Sequence, residues 1–284
     1  TVVTTGDVDI NASGGDLNLS GSLTGGSVDA TSGGNMDLAA NITSTGGTTL
    51  EASSDLTYAG EATAGDALSL SGETITVSSG SLTGGSVEAI SGGNMDLAAD
   101  ITSSGGTTLE ASNDLTYAGE ADAGGALSLS GETITVSSGS LTGGEVLVDA
   151  AANASITANI TSDTTVELNA ADDLAYAGGI NASDDTNTSD VTLTAGGDIT
   201  TSGGGLLQGE TLRFEATAGS IDAMSSLAGQ TIEVTAASDL TITGDVTGQP
   251  AAGSGIGGNV TLVAQSGDLE VTGDIGGSDL TMMA

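Results

Sequence analysis

Residues 21–79 read GSLTGGSVDATSGGNMDLAANITSTGGTTLEASSDLTYAGEATAGDALSLSGETITVSS, and residues 80–138 read GSLTGGSVEAISGGNMDLAADITSSGGTTLEASNDLTYAGEADAGGALSLSGETITVSS. The two stretches differ at seven of 59 positions. A diverged third copy fills 139–180, keeping GSLTGG at 139–144, NIT at 159–161 and DLAYAGG at 173–179. Tyr58, Tyr117 and Tyr176 stand 59 residues apart and mark the register. Self-similarity at a fixed period points to a stacked or arrayed architecture.

A shorter period lies inside each copy. Apolar-x-apolar triplets recur at Leu17-Asn18-Leu19, Met36-Asp37-Leu38, Leu56-Thr57-Tyr58, Ile75-Thr76-Val77, Met95-Asp96-Leu97, Leu115-Thr116-Tyr117 and Ile134-Thr135-Val136, at spacings of 19 or 20. Alternation of this kind places successive side chains on opposite faces of a strand. A second strand set is read at Val28, Leu50, Leu68, Val87, Leu109 and Leu127. Gly, Ser, Thr and Asn crowd every segment, and no apolar stripe of helical period runs through them. The spacing predicts an all-β, right-handed parallel β-solenoid (β-helix) of 19–20 residues per coil. Over 284 residues that gives roughly 14 coils and a rod on the order of 65 Å. No composition shift marks a domain boundary, so 1–284 is read as one continuous solenoid, with irregular coils at 181–284. The stretch 248–258, which carries the only Pro, is read as a surface loop and 184–190 as a polar excursion. The coil pattern runs into both ends, which makes the sequence an expected segment of a longer chain.

Composition narrows the chemistry. The chain holds 38 Asp and Glu against one Arg, with no Lys, His, Cys or Trp, for a net charge of −37. Ordinary zinc, copper, haem and iron–sulfur sites lack their ligands, and a Ser-His or Cys-His pair cannot be built. So acidic a surface repels phosphate backbones and anionic headgroups, which argues against nucleic acid partners. No apolar run approaches the roughly 20 residues of a membrane span, so direct membrane insertion is not expected. Acidity with few aromatics often means disorder, but 37% hydrophobic residues and a mean hydropathy of +0.15 oppose it. Catalysis fares poorly too. Asp172-Asp173 and Asp184-Asp185 supply adjacent acids of the kind glycoside hydrolysis uses, without the His or basic partners of solenoid polysaccharide enzymes. No enzyme activity, catalytic residue or cofactor is expected.

Stacking gives the charges a pattern. The outward position of the first strand set reads Asn18, Asp37, Thr57, Thr76, Asp96, Thr116, Thr135, with a carboxylate every third coil. In the second set Asp29 and Glu51 should neighbour one another on successive coils, as should Glu88 and Glu110. These four are candidate surface ligands for Ca²⁺, which takes several carboxylate and carbonyl oxygens. The remaining acids read as a solvated coat. Arg213, outward in TLRFE, should stand beside Glu233 one coil on and form a cross-coil ion pair, with Glu210 and Glu215 as alternative partners. The tyrosines, Met36, Met95 and Met282-Met283 read as packing residues.

Segments such as GGDLNLSG at 14–21, GGNMDLAANIT at 33–43, AGGDITTSGG at 195–204, AASDLTITGDV at 236–246 and QSGDLEVTGDI at 265–275 resemble the repeats of filamentous haemagglutinin-type exoproteins. Those are large adhesins and contact-dependent toxins of Gram-negative bacteria, exported by two-partner secretion. The resemblance implies a secreted or cell-surface shaft whose nearest partners are solenoid segments of the same or identical chains. It leaves the host or matrix partner open. A self-assembling filament, sheath or surface-layer component, possible with divalent-cation dependence, is the alternative.

Overall fold

The computed structural model of the protein describes residues 1–182, 189–250 and 257–284, and every regular element among them is a β-strand. The chain forms two compact units, Thr1–Gly143 and Gly144–Ala284. Each is a stack of parallel strands wound as a β-solenoid.

One turn of the first unit shows the build. Met36–Ser44 pairs with the next turn over Met36–Leu38 and again over Ile42–Ser44, which form the first and second sides of the coil; Thr48–Ala52 forms the third. Burial alternates strictly along these segments, with Met36, Leu38, Ala40, Ile42, Leu50 and Ala52 inside and Asp37, Asn41, Thr43 and Glu51 outside. Seven third-side strands stack in the first unit, from Val8–Ala12 to Ala126–Gly131, and seven in the second, from Glu145–Ala150 to Asp279–Met283. That makes about 14 turns in all, as the coil spacing predicts. In the first unit Val28, Thr48, Leu68, Val87, Thr107 and Leu127 are partners in turn, at spacings of 20, 20, 19, 20 and 20.

The core is a set of narrow aliphatic columns whose large and small members compensate within a turn. Tyr58 shares its turn with Ala62 and Ala64, and Val77 shares the next with Leu82; Tyr117 with Ala121, and Val136 with Leu141, repeat the arrangement. Filling an interior with such pairs keeps near-crystalline density without strain. Each fully buried Leu, Ile or Met contributes about 1.5–3 kcal/mol, which in aggregate offsets the ordering of so Gly-rich a chain.

In the second unit the first-side partners Leu174, Ile199, Ile221, Leu240 and Leu269 stand 25, 22, 19 and 29 residues apart. Across these uneven spacings the first-side strands stay paired, each with an aliphatic residue in this position. Asp184 and Asp185, and most of the loop expected at 248–258, fall outside the described residues. Met282 and Met283, expected to pack, are exposed in a strand that is exposed along its whole length.

Candidate functional site

The polar residues that precede the first side of each turn form a ladder along the stack. In the first unit Asp16 Oδ1 accepts the Asn35 backbone N–H at 2.9 Å, Asn35 Oδ1 accepts that of Asp55 at 3.3 Å, and Asp55 Oδ1 accepts the Thr74 hydroxyl at 2.7 Å. Asn94 does the same for Asp114. In the second unit the rungs run from Asn153 to the Asp173 N–H, from Asp173 to Asp198, and from Asp198 to Ser220, at 3.1, 2.8 and 2.7 Å. Asp239 then receives the N–H of Asp268 at 2.9 Å. A second ladder follows the corner between the first and second sides. There Asn41 accepts from Glu61, Asp100 from Glu120, Asn159 from Gly179 and Asp245 from Asp274.

The physical reason is local. At a corner the backbone leaves the strand ladder, and an N–H of the next turn would otherwise face solvent or nothing. Asp and Asn have the short side chain that reaches such a donor, which is why they suit turns. Read from sequence, most of these acids belong to a solvated coat; in the fold many of them join one turn to the next. Asp172-Asp173, the described acid pair, is split by this role, since Asp173 is a rung.

Inside the stack a second kind of polar contact recurs. Thr48 and Thr107 point inward, only 1% exposed, and their hydroxyls meet Ser44 and Ser103 at 2.8 and 2.9 Å. Ser44 and Ser103 in turn donate to the carbonyls of Gly46 and Gly105. The tyrosines are buried as expected. The Tyr176 hydroxyl donates to the Ala158 and Gly179 carbonyls at 3.1 and 2.8 Å. The Tyr58 and Tyr117 hydroxyls have no hydrogen-bond partner among the described residues. Burial raises all three phenol pKa values, and Glu61 adds to the effect at Tyr58, Asp100 and Glu120 at Tyr117.

For the four candidate cation ligands the register differs from the one expected. Asp29 and Glu51 do lie on successive turns, but Asp29 stands opposite Thr49, and Glu51 opposite Thr31. Likewise Glu88 faces Thr108, and Glu110 faces Ile90. Each acid pair is diagonal, because the inward Thr48 and Thr107 start the third side two residues earlier than the aliphatic pattern indicates. Asp9 and Asp29, by contrast, are like charges directly opposite one another. Among the described residues no group of three or more acidic side chains converges as a metal site would require. A shallow groove of about 250 Å³ is lined by Asp16, Asn18, Asn35, Asp37, Asp55 and Thr57; three of these are rungs of the first ladder.

Arg213 and Glu233 are strand partners, with Nη1 3.7 Å from the Glu233 carboxylate. The shorter contact is within its own strand, 2.8 Å from Nη2 to Glu215. That hydrogen bond is the main cause of the raised Arg213 pKa. All three side chains are at least a third exposed, so each pair contributes no more than about 1 kcal/mol.

Among protein families, the haemagglutinin repeat matches residues 90–170. Curated proteins and solved structures give no significant match. The match covers that part of the chain and, with the parallel solenoid, fits a filamentous haemagglutinin-type repeat region.

Proposed function

We propose that this haemagglutinin-repeat solenoid is a shaft segment of a large secreted or cell-surface adhesin-like exoprotein, without catalysis, whose work is to hold other modules at a distance. One observation carries the reading: the Asp and Asn side chains at the corners, the inward Ser and Thr hydroxyls and the tyrosine rings serve the stack itself. Asp and Asn accept N–H groups of the following turn, Ser and Thr bond inside the corners, and the tyrosines fill the core. The haemagglutinin repeat family is one of structural and adhesin proteins, secreted or surface-borne, which supports the same conclusion.

Sedimentation and electron microscopy of the purified chain, with and without chelator, test the proposal together with assays on neutral and acidic polysaccharides. Discrete single-chain particles, unchanged by chelator and inactive on every glycan, are expected. Ordered polymers that dissolve on chelation, or depolymerisation of any glycan, would overturn it.

A further inference from the structure

The seven differences between residues 21–79 and 80–138 are Asp29/Glu88, Thr31/Ile90, Asn41/Asp100, Thr45/Ser104, Ser54/Asn113, Thr63/Asp122 and Asp66/Gly125. None of the fourteen residues is buried, while every inward residue of one module has its identical counterpart in the other. Surface drift over an unchanged interior means that the two modules present the same stacking faces. Strand register agrees. Val8 and Ile10 pair with Val28 and Ala30 below the first module, and Leu68 and Leu70 pair with Val87 and Ala89 below the second. Even the Asn41/Asp100 difference keeps its rung, since both side chains accept the N–H of the glutamate 20 residues on.

A single turn has no such equivalence. The three turns of a module differ inside, carrying Leu38, Tyr58 and Val77 in one column and Leu23, Ile42 and Ala62 in another. They differ at the corner too. Gly21, Gly80 and Gly139 adopt φ of 107°, 101° and 85°, a left-handed conformation that recurs once per 59 residues. At Gly80 a Cβ would run into the Gly60 carbonyl of the turn below.

We infer that the 59-residue, three-turn module, and not the turn, is the unit by which this stack can be lengthened or shortened: adding or removing one creates no new interface and shifts the ends by about 14 Å. Its purpose rests on the shaft reading, but its test uses neither binding nor assembly, so the two can fail separately.

Three variants of the full chain decide it: deletion of 21–79, duplication of 21–79, and deletion of the single turn 36–55. The first deletion sets Val8 and Ile10 against Val87 and Ala89, residues identical to the Val28 and Ala30 they replace. Deleting 36–55 instead sets Tyr58 and Gly60 over the left-handed Gly21 corner and removes Asn41, Ser44 and Thr48. The three-turn variants should keep a cooperative urea transition with a midpoint within about 0.5 M of the parent, while its slope falls or rises with the buried surface. The one-turn deletion should lower the midpoint further than either. A module deletion or duplication that loses cooperativity, or a one-turn deletion as stable as the three-turn one, would overturn the inference.

Discussion

Tyr117 and Tyr176 occupy the same place in successive copies, yet their hydroxyls end differently. That of Tyr176 has two carbonyl acceptors, and that of Tyr117 is buried without a partner among the described residues. A satisfied hydrogen bond is worth about 0.5–1.5 kcal/mol, whereas an unmade one costs about 1–3 kcal/mol. Tyr176→Phe should therefore lose about 1 kcal/mol in urea unfolding, and Tyr117→Phe should be neutral or stabilising. The reverse ranking would show that the hydroxyl assignments are wrong. The same residues set an alkaline limit. A phenol whose pKa is raised by folding holds its proton more tightly in the folded state. Its contribution is fully present below the ordinary value of about 10 and is lost as pH rises through the folded value. Phenolate absorbance should stay absent just above pH 10 while the β signal persists, then appear together with unfolding. Reversible titration near 10 in the folded chain would contradict the burial.

Among the elements, the corners explain more than the strands do. Asp173 sits on two rungs, donating its N–H to Asn153 and accepting that of Asp198. Asp173→Ala removes one acceptor and should cost about 0.5–1.5 kcal/mol, whereas Asp173→Asn keeps the amide oxygen and should recover most of it. Equal losses in thermal melts would mean that charge, not the rung, matters. These roles were only partly legible beforehand. The first side could be read directly, because Met36, Leu56, Ile75 and their equivalents are all aliphatic and alternate cleanly. The third side could not, since Thr48 and Thr107 are polar side chains in core positions. An aliphatic pattern passes over them to Leu50 and Leu109, and the pairing of Asp29 with Glu51 followed from that skip. The ladders were hidden for another reason: an Asp that accepts a corner N–H and an Asp that faces water look alike in a sequence.

Across the whole molecule, repetition decides the chemistry. A net charge of −37 on 284 residues with one Arg adds self-repulsion to the ordering cost that opposes stacking, and Asp9 stands directly opposite Asp29. Stability should therefore rise with monovalent salt as the screening length falls from about 30 Å at 0.01 M to about 8 Å at 0.15 M. A urea midpoint that does not move with salt would contradict that account. The 59-residue period, the strand class and the number of turns are legible in the sequence because the interior uses so few residue types. The central claim is a parallel stack in the stated register, and the absence of cysteine allows it to be tested by cross-linking. Asp29→Cys combined with Thr49→Cys joins direct partners, about 4.8 Å apart, within the 4.4–6.8 Å that a disulfide spans. Asp29→Cys combined with Glu51→Cys joins a diagonal pair at about 7–8 Å. Mild oxidation should bridge the first pair readily and the second poorly; preferential bridging of 29 to 51, or of neither, would contradict the fold described.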